Sequence, residues 1–490
     1  MSRVFKWFSA GLAGVFFITA LTACTGGEQT GPATLKVDLS DRHQTMEGFG
    51  ASSAWWSQEI GGWTETGASG KQVREEIMDL LYSEEGLGLN IYRYNLGAGT
   101  GTGEKPGVFE DSWRSAQSFI DDNGNIDYSL DANAVWCMNR AVELGANKVF
   151  FFSNSAPDSL TITGMPHSEE QRNKVTNLAP ENYQAFADYA LDAVEHFRAQ
   201  GIPVIAISPI NEPQWTWQGG QEGCHFEPDE MVALYKVFYQ EMLNRGMTDT
   251  VELDMFESGQ FGGLKKFRKW FKAIAEDETL APIFHTLSGH SYNSSFEDKE
   301  KTAEWLRKNY PDLKIRCTEW TEMTGGRDYG MDSATIMAEM ICNDLKILDA
   351  ISWTYWLAVS RYDWRDGLLY VDPDEPIPQT YTMTKRYYGY GNFTKFVKEG
   401  AVRVGSQMDN EGELSSIAFE QDGKLTMILV NRSTENERPV SFDIANGNYQ
   451  TMTTWLTDET HDLEQTAQSA YSAQSTVTLP PQSIMTVVLE

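Results

Sequence analysis

Two glutamates stand where short β-branched, apolar runs give out. Glu212 follows VIAISPI in SPINEPQW, and Glu319 closes LKIRC in IRCTEW. Two carboxylates held at strand ends of one scaffold are what hydrolysis of a glycosidic bond requires. Trp215 and Trp217 follow the first, and Trp320 adjoins the second. Carboxylates bracketed by indoles read as a cleft for a sugar, whose C–H faces match flat apolar rings.

The two carboxylates need different surroundings. Glu212 as general acid must carry a proton, which apolar neighbours (Trp215, Trp217) or the second carboxylate would favour. Pro209 and Pro213 stiffen the chain around it, and Asn211 can hold a sugar hydroxyl. The competing reading is that Asn-Glu-Pro merely starts the next helix. Glu319 as nucleophile must be ionised. Arg316, three residues back, would point to the opposite face of a regular strand, so Arg93 in NIYRYN is its expected partner, unless Arg93 makes only an interior ion pair. Glu322, in the run TEMTGG, reads as loop. His290 and Tyr292 in HTLSGHSY lie two apart and share a strand face. The Tyr292 hydroxyl would bond the nucleophile and His290 would line the sugar site, the alternative being two half-buried core residues. Trp353 and Tyr355 in ISWTYWLA share a face and would floor a subsite, core packing being the plain account for at least one of them. Trp55 and Trp56 follow GFGASSA, in which Ser52 and Ser53 offer hydroxyls. Glu257, closing VELDMFE, reads equally as a substrate contact or a surface carboxylate.

Other chemistries find little purchase. The chain has seven His and no HxH or HxxxH pair beside carboxylates, so no metal is expected. There is no GxSxG, no Walker loop and no dinucleotide fingerprint, and the glycines of GAGTGTG (97–103) lack the Lys-Ser/Thr of a phosphate cradle. No cofactor is expected.

These residues must be held by a scaffold that brings strand ends together. From 46 to 392 the sequence alternates eight candidate strands (EGFGASSA, GLNIYRYN, KVFFFSN, VIAISPI, VELDMFE, IFHTLSGHSY, LKIRCTE, ISWTYWLA) with helical stretches, among them 131–144, 181–198, 228–245 and 332–348. Eight such alternations predict an α/β fold of the closed (β/α)8 TIM-barrel type, with its active site at the carboxyl ends of the strands. From 393 to 490 the pattern becomes short strands separated by turns such as DNEG and QDGK, a β-sandwich side domain. The stretch 33–45, containing TLKVDLS, is expected to complete that domain as a strand before the barrel.

Composition bounds the partners. Of 490 residues, 41% are hydrophobic, and 39 basic against 70 acidic residues give a net charge of −31. That disfavours nucleic acid and anionic headgroups and suits a neutral polysaccharide or oligosaccharide. A monomer is expected. Residues 1–24 run basic, apolar, small, then Cys24, the order of a bacterial lipoprotein signal with lipid on Cys24, and 25–32 read as a tether. The expected location is the bacterial outer membrane, with the membrane reached only through that anchor. A plain signal peptide or a retained helix are the alternatives. Cys137, Cys224, Cys317 and Cys342 are widely spaced and read as buried thiols or bridges.

EGFGAS (47–52), NEPQ (211–214), HSY (290–292), TEW (318–320) and the closing LPPQSIMTVVL together make the chain resemble glycoside hydrolase family 30. The resemblance covers residues 33–490. It implies a barrel with a side β domain and a retaining mechanism, with Glu212 as acid/base and Glu319 as nucleophile, their carboxyl groups ~5–5.5 Å apart. FGASSAWW, NEPQWTWQGGQEGC and SRYDWRDGLLY look most like the endo-β-1,6-galactanase branch. SNSAPDSLT departs from that branch at Ala156 and at Ser159-Leu160. An endo-β-1,6-glucanase or a xylan-directed enzyme stays open, as does, more remotely, a non-catalytic glycan-binding lipoprotein.

Overall fold

A computed structural model describes residues 31–99, 111–168, 174–372 and 380–490. The leader, Cys24, most of the tether and 100–103 of the glycine run lie outside them.

β1 (Ala33–Thr45) precedes a parallel ring made of β2 (Gly48–Ser52), β3 (Ile91–Asn95), β4 (Lys148–Phe152), β5 (Val204–Ser208), β6 (Glu252–Leu253), β7 (Met255–Ser258), β8 (Thr286–His290), β9 (Lys314–Trp320) and β10 (Ala350–Tyr355). β6 and β7 are one barrel strand broken at Asp254. β6 pairs with β5 and β7 with β8, and β2 pairs with both β3 and β10, so the ring closes as a (β/α)8 barrel. These strands are apolar on both faces because helices cover the outside and side chains fill the inside. β2 is glycine-rich because it sits close to β3, where a Cβ at Gly50 would stand 2.7 Å from the Ile91 carbonyl oxygen.

The helical layer comprises α1 (Ser57–Ile60), α2 (Val73–Tyr82), α3 (Ala132–Leu144), α4 (Tyr183–Ala199), α5 (Pro228–Asn244), α6 (Leu264–Ala275), α7 (Phe296–Asn309), α8 (Met331–Ile347) and α9 (Lys385–Thr394). The four helices singled out in the sequence are α3, α4, α5 and α8. α6 and α7 are dominated by charge, and each buries only a narrow stripe, Phe267, Trp270, Phe271 and Ile274 in α6. None of the helices among the described residues is long and apolar enough to cross a membrane.

Inside the barrel, Arg316 corrects an expectation. β8 and β9 pair Gly289 with Cys317 but His290 with Glu319, so Thr318 is an extra residue and the alternation slips there. Arg316 and Glu319 therefore both face the interior. Arg316 lies at the amino end, where its guanidinium sits 4.9 Å from the Phe150 ring and donates to Glu47 at 2.7 and 3.0 Å and to Glu252 at 2.9 Å. It seals the floor of the barrel, and Glu319 stands at the mouth.

Beyond β10, β11 (Val359–Ser360), β12 (Leu369–Tyr370) and β13 (Thr382–Met383) form a small sheet. The side domain follows, with β14 (Val402–Met408), β15 (Leu414–Gln421), β16 (Lys424–Asn431), β17 (Arg438–Ala445), β18 (Thr451–Thr457), β19 (Asp462–Ala470), β20 (Thr476–Leu479) and β21 (Ser483–Leu489). β1 lies inside this sheet, antiparallel to β14 and parallel to β17, and buries Leu35 and Val37 in its core. The sandwich and the barrel also share apolar contact, since Ile417, Phe419, Ile428, Val430 and Ile484 pack into the barrel's own core. Asn392 of α9, fully buried there, donates to Thr457 Oγ1 at 2.6 Å and accepts from Thr486 Oγ1 at 3.0 Å.

Candidate active site

The carboxyl ends of β3, β5, β7, β8 and β9 deliver Arg93, Glu212, Glu257, His290 and Glu319 to one point. All five are buried. Arg93 Nη1 donates to Glu319 Oε2 at 2.8 Å, and Tyr292 OH donates to Glu319 Oε1 at 3.0 Å. His290 stands between carboxylates, Nδ1 2.8 Å from Glu212 Oε1 and Nε2 3.1 Å from Glu257 Oε2. Glu257 also accepts from Thr318 Oγ1 at 2.5 Å and lies 3.5 Å from Arg93 Nη2. An oxygen of Glu212 and one of Glu319 lie within 4.8 Å of each other.

Local chain geometry puts them there. Glu212 (φ 47°) and Glu257 (φ 53°) are both in the left-handed region, which a side-chain-bearing residue adopts at a cost of order 1–3 kcal/mol. The Glu212 N–H donates to the Glu257 carbonyl at 2.9 Å, so the two strand ends fix each other. Gly259 leaves room beside them, since a Cβ there would meet the Trp215 indole nitrogen and stand 2.7 Å from Glu212 Oε1. Trp217 Nε1 donates to the Glu212 carbonyl at 3.2 Å. The Thr318 bulge turns Thr318 and Glu319 inward together.

The charges interlock. Burial works against ionised His290, but Glu319, Glu212 and Glu257 hold the imidazolium up to about 10. Burial would raise Glu257, but Arg93, His290 and Thr318 more than reverse it and hold it at about 2. Burial raises the Glu319 carboxyl above its ordinary range, with His290 and Arg93 pulling the other way. Arg93 does pair with Glu319, as expected, but burial is the larger influence on that carboxyl. Arg93 is shared among Glu319, Glu257 and Asn211, so its charge is divided. Glu212, His290 and Glu319 also offer ligand atoms close enough for a metal. A doubly donating imidazolium and a fixed guanidinium suit carboxylates rather than a cation.

The remaining expectations divide. Asn211, His290, Tyr292 and Arg93 converge with the glutamates. Trp55 packs edge-on to Trp356 at 5.0 Å and leaves its buried Nε1 without a partner among the described residues. Trp215 is half-buried, with Lys266 4.4 Å from its ring. Four aromatics fall elsewhere. Trp56 is buried and donates to the Ser52 carbonyl. Trp353 and Tyr355 do share a face, but it is the outer one. Trp353 Nε1 donates to Asp344 on α8 at 3.0 Å, and its ring lies 5.6 Å from Tyr390 on α9, while Tyr355 bonds Thr321 at 3.2 Å. Trp320 packs on Trp353 at 5.9 Å, because alternation sends it outward when Glu319 points in. These four serve the wall of the barrel, not a subsite. The inward parity on β10 is Ser352 and Thr354, so small polar residues marked the lumen face. Glu257 is buried and triply bonded, so its surface reading is excluded. Glu222, a buried carboxylate in the loop before α5, left no signal in the sequence.

A family model described as O-Glycosyl hydrolase family 30 matches residues 32–370, and one described as the family's beta sandwich domain matches 400–487. The chain is similar to an endo-beta-1,6-galactanase of Hypocrea rufa, 23% identical over 86% of this chain and 87% of that protein. It is also similar to an exo-beta-1,6-galactobiohydrolase of Bifidobacterium longum, 27% identical over 82% of this chain and 34% of that one. Among solved structures, a conserved exported protein from Bacteroides fragilis superposes with a TM-score of 0.79 at 22% identity, covering 93% of this chain and all of that one.

Proposed function

The chain belongs to glycoside hydrolase family 30 and is an O-glycosyl hydrolase, and from that premise we propose that it is a retaining endo-enzyme cutting β-1,6-linked galactan, as in arabinogalactan side chains. The observation that carries the mechanism is the approach of Glu212 and Glu319 oxygens to within 4.8 Å. Retaining sites hold their carboxyls ~5–5.5 Å apart, whereas inverting sites need ~6.5–9.5 Å to admit water between acid and base.

The two roles divide by contact. With Arg93 and His290 charged, three ionised carboxylates leave one uncompensated negative charge. Glu319 accepts from Arg93 and Tyr292, and Glu257 is held at about 2. The acid role therefore falls to Glu212, which faces Glu319 and is hydrogen-bonded to His290. Glu319 attacks the anomeric carbon while Glu212 protonates the departing glycosidic oxygen, giving a glycosyl ester on Glu319. Glu212, now ionised, takes a proton from water, which attacks the same carbon, releases Glu319 and restores the β-configuration. Burial-raised basicity on Glu319 makes it a stronger nucleophile.

The galactan assignment rests on the galactan-active relatives. Endo-β-1,6-glucan and xylan hydrolysis are the alternatives, and retention of glycan binding without turnover is the remote one. Incubation with β-1,6-galactan, β-1,6-glucan and glucuronoxylan, with sizing of products, tests it. Galacto-oligosaccharides of mixed length are expected, and products from either other polymer alone contradict the galactan assignment. A lipid on Cys24 that holds the enzyme to the outer membrane is the accompanying proposal. Labelling with a palmitate analogue that persists in Cys24→Ala contradicts it.

A further inference from the structure

We propose that Glu222 is a positioning residue that sets the direction of a chain of three asparagines and through it holds Arg93 against the nucleophile. The inference rests on Glu319 being that nucleophile. Asn95 Nδ2 donates to Glu222 Oε2 at 3.4 Å, Asn154 Nδ2 to Asn95 Oδ1 at 3.3 Å, Asn211 Nδ2 to Asn154 Oδ1 at 3.0 Å, and Arg93 Nη2 to Asn211 Oδ1 at 3.1 Å. Arg93 Nη1 completes the run to Glu319. Every member is buried.

The direction is not free. Each asparagine offers one accepting oxygen and one donating nitrogen, so the chain has two senses. A guanidinium only donates and an ionised carboxylate only accepts; burial raises the Glu222 carboxyl to about 7, so the single sense holds above that pH. Arg93 at one end and Glu222 at the other agree on a single sense. Reversal would set the Asn211 amide nitrogen against Arg93 and the Asn95 oxygen against Glu222. The other oxygen of Glu222 accepts the N–H groups of Ala116 at 2.8 Å and Ala98 at 3.2 Å, which keeps the carboxylate from turning. The chain crosses the ends of β3, β4 and β5, so it also ties the strand end carrying Glu212 to the one carrying Arg93. Buried polar networks of this kind gain from being satisfied throughout.

Glu222→Gln tests this with little change of shape. Its oxygen can still serve the two backbone N–H groups, which puts its nitrogen against Asn95 and reverses the chain up to Arg93. On the polymer the wild type cuts, kcat is expected to fall about tenfold with KM little changed and the melting temperature nearly kept. Glu222→Asp, still an acceptor only, should restore much of kcat. Asn95→Ala, which breaks the chain but leaves the Glu222 backbone bonds, should lower kcat similarly. A kcat within about twofold of wild type in Glu222→Gln or in Asn95→Ala overturns the inference. So does a loss that Glu222→Asp shares in full. Inactivation by a 2-deoxy-2-fluoro β-galactoside separates the two levels of the argument. Label on a residue other than Glu319 in the wild type fails the catalytic reading itself. Label on Glu319 at equal rates in wild type and Glu222→Gln fails only the role of Glu222.

Discussion

At the scale of residues, the site is a problem in placing one proton among five interlocked charges. Glu319 must be ionised to attack, and burial lifts its carboxyl above the usual 4.5 while His290 and Arg93 oppose that lift. As pH falls through that raised value Glu319 takes a proton and activity is lost, so the acid limb of kcat/KM should lie above the ordinary glutamate range. His290→Gln removes a positive charge that lowers Glu319, so the limb should move to still higher pH. A pH–rate profile of both proteins checks this, and a limb that moves down or stays put contradicts the charge arrangement. Much of this cluster was legible in the sequence. Arg93, Asn211, Glu212, His290, Tyr292 and Glu319 sit in short motifs whose strand-end position told where they point. Glu257 was harder, because placing it needed knowledge of what surrounds it. Glu222 was invisible, since its role comes from residues far along the chain.

At the scale of elements, strand alternation carried the sequence reading until it met irregularity. The Thr318 bulge in β9 and the outward face of β10 are where it failed, and both depend on pairing between strands rather than on any one strand. Behind those strands lies a buried support. Lys299 of α7 and Asp344 of α8 are fully buried and 2.6 Å apart, and Asp344 also accepts from Ser291 next to β8 at 2.7 Å and from Trp353 in β10 at 3.0 Å. One carboxylate thus ties two helices to the wall that presents His290 and Glu319. Removing one partner of a buried ion pair leaves the other charge uncompensated, at about 3–5 kcal/mol. Asp344→Ala should lower unfolding free energy by about that much in urea titration. A loss below ~1 kcal/mol would mean the pair does not support the wall.

At the scale of the whole molecule, the barrel and the side domain share part of one apolar core. β1 starts the chain's described part yet lies in the C-terminal sheet, and five apolar side chains of that sheet join the barrel core. The fold class and the place of β1 were readable from the change of pattern near 393 and the short strand before the barrel. The shared core was not, because it forms between segments distant in sequence. Calorimetry should show a single unfolding transition, and Leu35→Ala, truncating a fully buried side chain of β1, should shift that whole transition down by a loss of about 2–5 kcal/mol. Two separate transitions, with only one of them moved, would contradict the shared core. What this assembly is for turns on the spacing of Glu212 and Glu319. Proton NMR of the first sugar released, recorded before mutarotation, tests that directly. The account predicts that the β anomer appears first and the α anomer grows in later; an α anomer appearing first would mean inversion, and would contradict the assignment of Glu319 as nucleophile.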